Sequence, residues 1–511
     1  MEFNLTRRNS RQIALVCMAM LMNWAAISAA SDSGRVPPSP DKPWFPAPLS
    51  DYESELAHDH FRSNRNPTAV EIDANKVYDL PELIDIGERS NPQTRIAWEH
   101  ARQAAAAVGL SQSAYFPFLA ASAGAGYERA FIPFPTLQVG PGTTDVSITG
   151  GGNLTTEAVG ERAALGVKWL VCDFGERKAE LAMAKEGLMA ANVGFNAVHQ
   201  QIVFAVTQHF YDFNTARQKV AVAESAVKAA DTVARSARAR FDHGLAIKPE
   251  VLQAEQQSAQ AVFDLVAARG TLSDAGVALV DSLGILPTTP LHVAEVPDKA
   301  FSESVGDAEE LIDRALSQRP DLVAKLANVR AKRALVSKAR AAYYPKIAVD
   351  AHVGDLQLDV SVKGSPYFGG NDIVYGAGVL VDLPVFDGYA RRNKLRAAES
   401  ELQEAEDELS HSRDSVIREV WKARTDFETA LQMRDSAAKL AAAAESAFSA
   451  ALDAYRQGLG TYVDVANAQH SVTAARSVVV DTRSAIYTSA SALALSVGDL
   501  ARPARPGQRR N

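Results

Sequence analysis

The chain has 511 residues, a net charge of −8, 22% charged residues and 7% aromatic residues. That balance excludes a polar disordered chain and gives no reason to expect nucleic acid as a partner. Beyond the N-terminus no run reaches ~18 apolar residues, which excludes a spanning helix in the rest of the chain.

Residues 1–30 read as a secretory signal. Arg7, Arg8 and Arg11 form the basic region, Ile13 to Ala26 the apolar core, and Ser28, Ala29 and Ala30 the small residues for cleavage. An uncleaved anchor helix is the alternative, and the polar Asp32-Ser33-Gly34 that follows favours cleavage. Removal takes away three arginines and one glutamate and leaves a charge of about −10. Cys17 lies inside the signal and follows Val16 rather than a small residue, so no acylation is expected. Cys172 is then alone, and an intrachain disulfide is impossible. Residues 31–78 form a Pro-rich polar leader. His58 and His60 within it could contact a metal, but no second cluster accompanies them, and a solvated loop is expected.

Residues 79–284 form a first structural repeat. A helix is predicted from about Leu80 to Ala114, ended by Pro117. The period then becomes two. Leu119, Ala121, Ala123, Ala125 and Tyr127 share one face, while Ser122, Gly124 and Gly126 share the other. After a loop predicted over Phe131 to Gly160, the alternation resumes with Ala163, Leu165, Val167 and Trp169. Each strand is about 10 residues, a length suited to a tilted membrane strand. From Glu176 to Phe241 there is no proline and only Gly187 and Gly194. Leu181, Ala184, Leu188, Ala191 and Phe195 recur at helical spacing. One helix over this stretch would be about 100 Å long. Gly244 sits where a left-handed cap is needed. Pro249 and Glu250 suit the first turn of a further helix, which runs to Gly284.

Residues 285–306 read as an equatorial linker, and residues 307–498 repeat the pattern. Asp173, Gly244 and Gly284 map onto Asp387, Gly458 and Gly498 at a constant offset of 214. Pro92 and Pro117 map onto Pro320 and Pro345 at an offset of 228. A helix starting near Asp307 ends at Pro345. Strands follow around Ile347 to Val360 and Tyr375 to Leu383, with a loop over Lys363 to Asp372. The apolar phase slips at Gly354, and a bulge is expected there. A second long helix runs from Tyr389 to Tyr455, with a four-residue step between Val416 and Val420 that relaxes a coiled coil. Residues 499–511 are a basic tail, expected to be disordered.

In each half, two shorter helices laid end to end roughly match the long one. The strand–helix junctions, marked by Pro117, Asp173, Pro345 and Asp387, then lie at one end and the tight turns at the other. Four strands cannot close a membrane barrel, and open edges are not tolerated in lipid. The chain must therefore lend its strands to an oligomer. The small inward face (Ser122, Gly124, Gly126, Gly166, Gly376, Gly378) fits an open passage.

Leu80-Pro81-Glu82-Leu83, Asn91-Pro92, Ala114 to Pro117, Trp169 to Gly175, Leu383 to Gly388, Tyr455 to Gly458 and Asp464-Val465 occur in this order, in two halves. By this set the chain from about residue 79 to 500 resembles the TolC family of outer-membrane efflux proteins. The resemblance implies a mixed α and β fold. By the same implication it would be a trimeric 12-stranded outer-membrane β-barrel, with four strands per chain, continued by a long α-helical periplasmic tunnel. It also implies a passive duct in outer-membrane lipid, not an enzyme and without cofactor or metal. Its partners would be a periplasmic adaptor and an inner-membrane pump of the resistance-nodulation-division type, exporting small molecules. A type I protein secretion duct is the alternative. By the same resemblance, Gly244, Leu245, Ala246, Gly458, Leu459 and Gly460 are the adaptor-docking turns. Asp464 matches an acidic position at the entrance constriction. Asn467, three residues on, departs from a second acidic ring, and Gly460 stands where a larger polar residue often sits.

Two other classes fit poorly. There is no Gly-x-Ser-x-Gly, His-Glu-x-x-His or phosphate loop for an enzyme. A purely structural coiled coil explains the helices but not the alternating strands.

Overall fold

The structure is a computed structural model that describes residues 72–139, 146–296, 306–362 and 368–500. The expected signal, the leader up to residue 71 with His58 and His60, and nearly all of the tail lie outside them. So do the middle of the first strand loop, half of the second and part of the equatorial linker.

The first half opens with strand β1 (Val77–Tyr78) and helices α1 (Leu80–Ser90) and α2 (Pro92–Ser113). Asp79 starts α1 through a capping box, in which its carboxylate accepts from the Glu82 N–H and Glu82 accepts from the Asp79 N–H. The single helix expected over Leu80 to Ala114 is therefore wrong. Pro92 holds Asn91 extended, at φ −67° and ψ 126°, and splits it. The second half repeats the break between α5 (Ala308–Gln318) and α6 (Pro320–Ala341) at Arg319, with φ −66° and ψ 128°.

Between α2 and α5 come strand β2 (Phe118–Val139), strand β3 (Val146–Cys172), helix α3 (Glu176–Asp242), helix α4 (Lys248–Leu283) and strand β4 (His292–Val293). After α6 come strand β5 (Lys346–Val362), strand β6 (Phe368–Asp382), helix α7 (Ala390–Arg456) and helix α8 (Tyr462–Val497). Both long helices have 67 residues and run unbroken. Val416 and Val420, at the four-residue step, are both fully buried. β1 pairs in parallel with β4, so the linker carries a strand that the sequence did not announce.

The end-to-end stack involves α2 with α4, and α6 with α8. A Cβ on Gly284 would lie 2.6 Å from Asn91 Cα, and one on Gly498 would lie 3.4 Å from Arg319 Cα. Asn91 Nδ2 donates to the Ser282 carbonyl at 3.0 Å, and Arg319 Nη1 donates to the equivalent Ser496 carbonyl at 3.2 Å. α1 is not part of the stack. Its Leu83 and Ile86 pack across the joint against Ile202, Val206, Leu279 and Leu283.

The four long strands form one antiparallel sheet in the order β2-β3-β5-β6. They have 22, 27, 17 and 15 residues, well beyond the expected 10. The hairpins continue through most of what the sequence assigned to loops. The register runs straight through Gly354, so the bulge expected there is absent; the shifts fall at Phe134/Thr136 and Leu170/Cys172. A continuous register means that Leu356 and Leu358 turn to the face that carries His352, while Asp355, Gln357 and Asp359 turn to the face of Val353. The polarity of the two faces inverts above that rung.

Candidate functional site

The strand–helix junctions are built twice from the same parts. Pro117 and Pro345 stand immediately before β2 and β5. Asp173 follows β3 and is buried. Its Oδ2 accepts from the Arg177 backbone N–H at 2.8 Å and from Arg177 Nε at 2.9 Å, and its Oδ1 accepts from the Gly175 N–H at 3.2 Å. Burial pushes the Asp173 carboxyl up. The two N–H groups and the Arg177 guanidinium outweigh it, so the group ionises below the usual aspartate range. Arg177 also donates to the Ala114 and Val171 carbonyls and lies 4.8 Å over the Tyr115 ring. In the second half Asp387 accepts from the Arg391 N–H and Nε at 3.0 and 2.8 Å, with Arg391 5.3 Å over Tyr343. One side chain thus ties helix end, strand end and long helix together at each junction. Sequence reading found the aspartates and missed the arginines, although an Asp-x-x-x-Arg spacing at the 214 offset was legible.

Each junction also contains two successive left-handed residues. They are Phe174 (φ 52°) with Gly175 (φ 104°), and Gly388 (φ 64°) with Tyr389 (φ 67°). The glycine and the aromatic exchange places, so each turn holds one aromatic residue in a region that favours glycine. Phe174 stacks on Tyr344 and Phe386 packs edge-on to Tyr389, with ring centroids 5.5 and 5.6 Å apart. With the exposed Phe116 and Trp169 they make an aromatic collar at the junction end of the strands.

On the sheet, Ser122, Gly124, Gly126, Gly166, Gly376 and Gly378 share one face. Gly376 and Gly378 lie under His352 and Asp350, so these side chains rest on the wall. Leu165, on the other face, is exposed. No helix among the described residues is long and apolar enough to cross a membrane.

At the far end of the long helices, the two distal turns are also twins. Gly244 and Gly458 take φ 73° and 77°. Leu245 N–H bonds to the Arg240 carbonyl at 2.7 Å, and Leu459 N–H to that of Ala454 at 2.8 Å. This is the left-handed helix cap that the glycines predict. Leu245 is 67% exposed and Leu459 81% exposed, with Gly244 and Gly458 beside them at the surface and Ala246 and Gly460 half-buried. Arg240 joins the two turns. It donates to the Tyr455 and Leu245 carbonyls and lies 4.6 Å over the buried Tyr455 ring. Burial raises the Tyr455 phenol above its ordinary pKa, with a further push from Glu250.

Asp464 is exposed, and its carboxylate is already engaged in a capping box. It accepts from Thr461 Oγ1 at 2.7 Å and from the Thr461 N–H at 3.0 Å, which hold it below the usual aspartate range. Asn467 is exposed one turn further along the helix.

The family model of the outer membrane efflux proteins matches residues 83–285 and 311–499, both repeats without the linker. The chain belongs to the outer membrane efflux protein family. It is thus an outer-membrane protein. It is 29% identical over 331 residues to Protein CyaE of Bordetella pertussis, a match covering 63% of each chain. It is 25% identical over 239 residues to the outer membrane efflux protein BepC of Brucella suis, covering 46% of this chain and 49% of that one. The chain therefore spans about half to two thirds of the length of these relatives. The solved outer membrane protein VceC of Vibrio cholerae shares the fold, with a TM-score of 0.66 at 19% identity over 82% of this chain and 96% of that one.

Proposed function

We propose that three copies of this chain close into a passive export duct, with a 12-stranded barrel in the outer membrane and a helical tunnel beneath it. The observation that carries this reading is the pair of open edges. At every level of the structure the elements follow one order: β2-β3-β5-β6 in the sheet, α2-α3-α6-α7 above the waist and α4-α3-α8-α7 below it. One edge is therefore β2, α2 and α4, and the other is β6 and α7. Strand edges left open in lipid would cost several kcal/mol per unsatisfied group, so β2 must pair with β6 of a neighbour. The helical edges are apolar in the same way. Ile96, Leu110, Phe263 and Val266 are exposed on one, and Trp421, Met433 and Leu440 on the other. Two unlike edges that meet head to tail generate a ring.

The distal turns are the periplasmic entrance. Gly244, Leu245 and Ala246 with Gly458, Leu459 and Gly460 present two exposed leucines to an adaptor protein, which connects the duct to an inner-membrane pump of the resistance-nodulation-division type. Asp464 contributes one acidic ring there, with Asn467 leaving the next turn uncharged. Small molecules are the cargo this reading favours. Planar-bilayer conductance of the purified assembly tests it. Wild-type protein should form channels, and Leu165→Arg on the lipid face should lose about 2–4 kcal/mol of insertion near the bilayer midplane. No channels from wild type, or full insertion of Leu165→Arg, would contradict it.

A further inference from the structure

At the membrane boundary, charge is distributed against the local rules of helix design. The first nine residues of α7 hold Arg391, Arg392, Lys394 and Arg396 and no acid. Cations near a helix start are disfavoured by the dipole. The next ten residues, 399–408, hold Glu399, Glu401, Glu404, Glu406, Asp407 and Glu408. Within a chain of net charge −8, positive charge is thus gathered at the end of α7 that meets the strands.

Not all of these cations have internal work. Arg391 is held by Asp387. Arg392, Lys394 and Arg396 are exposed and pair with no carboxylate among the described residues, and the same holds for Lys178, the counterpart of Arg392 at the start of α3. The nearest acids are engaged elsewhere: Glu176 with Lys346, Glu180 with Lys338 and Glu399 with Arg340. Val385, Phe386 and Tyr389 are exposed directly above the α7 cluster, and Phe174 above Lys178. Apolar and aromatic side chains followed by free cations match the boundary of a membrane, where rings sit at the headgroup level and cations just beyond. The depth agrees. Arg392 and Arg396 stand about 3 and 9 Å along the axis from the first residue of α7, so long side chains from both reach a headgroup layer of about 5–8 Å.

We propose that Lys178, Arg392 and Arg396, the last two one turn apart on the same face of α7, form a binding surface for the headgroups of anionic phospholipids in the periplasmic leaflet, continuous with the aromatic collar. The proposal rests on the orientation of the duct given above. Its occupant follows from charge complementarity and from continuity with the lipid-facing strands. In the trimer the three cations become nine, a basic belt that fixes the height of the barrel and recruits phosphate-bearing lipid around it.

The test uses the full-length assembly reconstituted in nanodiscs of phosphatidylglycerol or of phosphatidylcholine, with retained lipid counted by native mass spectrometry. Wild type should retain phosphatidylglycerol preferentially. Arg392→Gln with Arg396→Gln should lose that preference, about five-fold per charge removed. Lys228→Gln with Lys439→Gln, on the same two long helices far from the strands, should keep it. Equal retention of the two lipids by wild type overturns the proposal, as does equal loss in the control. An Arg392→Gln and Arg396→Gln variant that falls apart in both lipids would also overturn it, because the cations would then be contacts between protomers. Failure of wild type to enter nanodiscs at all would instead contradict the membrane duct.

Discussion

Replacing Arg240 by alanine should let the two distal turns of one chain separate. Its guanidinium donates to the Tyr455 carbonyl of the second repeat and to the Leu245 carbonyl of the first, 3.2 Å away, and stacks 4.6 Å over Tyr455. A hydrogen bond from a charged donor contributes about 1.5–3 kcal/mol, and a partly desolvated cation–π contact about 1 kcal/mol. The Leu245 carbonyl lies in an exposed turn and can exchange Arg240 for water, so its share is at the low end. About 3 kcal/mol remains, which shifts the balance between joined and parted turns roughly a hundredfold. Spin labels on Asp242 and Arg456, measured by pulsed electron resonance, would report the separation. Arg240→Ala should broaden and lengthen the distance distribution and raise conductance, and Arg240→Lys should fall between, since lysine keeps the charge but lacks the fork. Identical distances in wild type and Arg240→Ala would refute the tether.

Other outcomes follow from the same geometry. Asp173→Ala should cost about 3 kcal/mol, because it strands the buried Arg177, with a smaller loss for the more exposed Asp387; melting of the assembly at fixed concentration measures both. The lowered Asp173 carboxyl adds stability that is fully present above the ordinary aspartate pKa of about 3.9 and is lost as pH falls through its lower folded value. That acid sensitivity should be absent from Asp173→Ala. Gly284→Ala should destabilise more than Gly498→Ala. Both force a left-handed alanine, at about 1–2 kcal/mol, but only Gly284 has the Asn91 backbone within 2.6 Å of the new Cβ. At the entrance, Asp464→Ala should lose both the helix cap and the block of conductance by polyvalent cations, whereas Thr461→Ala should lose the cap alone. Loss of block in both variants would assign the effect to the helix start rather than to the charge.

The larger plan was legible because it is written in periodicity. Alternation of period two gave the four strands, and uninterrupted helical spacing gave α3 and α7 to within a residue or two. The constant offset of Asp173, Gly244 and Gly284 from their partners gave the duplication. What failed was local. Pro92 and Pro320 were seen as repeat markers but not as helix breaks, although proline restrains the residue before it. The strand ends were missed because Gly, Pro and Thr signal a loop, yet pairing across the hairpin extends the ladder through them. The phase slip at Gly354 suggested a bulge, when the chain instead keeps register and exchanges its polar and apolar faces beyond that rung. In the candidate site, glycines and aspartates were visible because turns and caps demand particular residues. Arg240 and Arg319 were not, since an arginine that ties distant segments leaves no local signal, and Arg177 was legible only through the Asp-x-x-x-Arg spacing that Asp387 and Arg391 repeat.

The mass of the assembly extracted from the outer membrane, measured by native mass spectrometry, tests the duct most directly. Three mature chains are predicted, because only a third copy brings the strand count to a barrel with an open lumen. A monomer or dimer would leave four or eight strands, with either an open edge or a filled interior, and would contradict it.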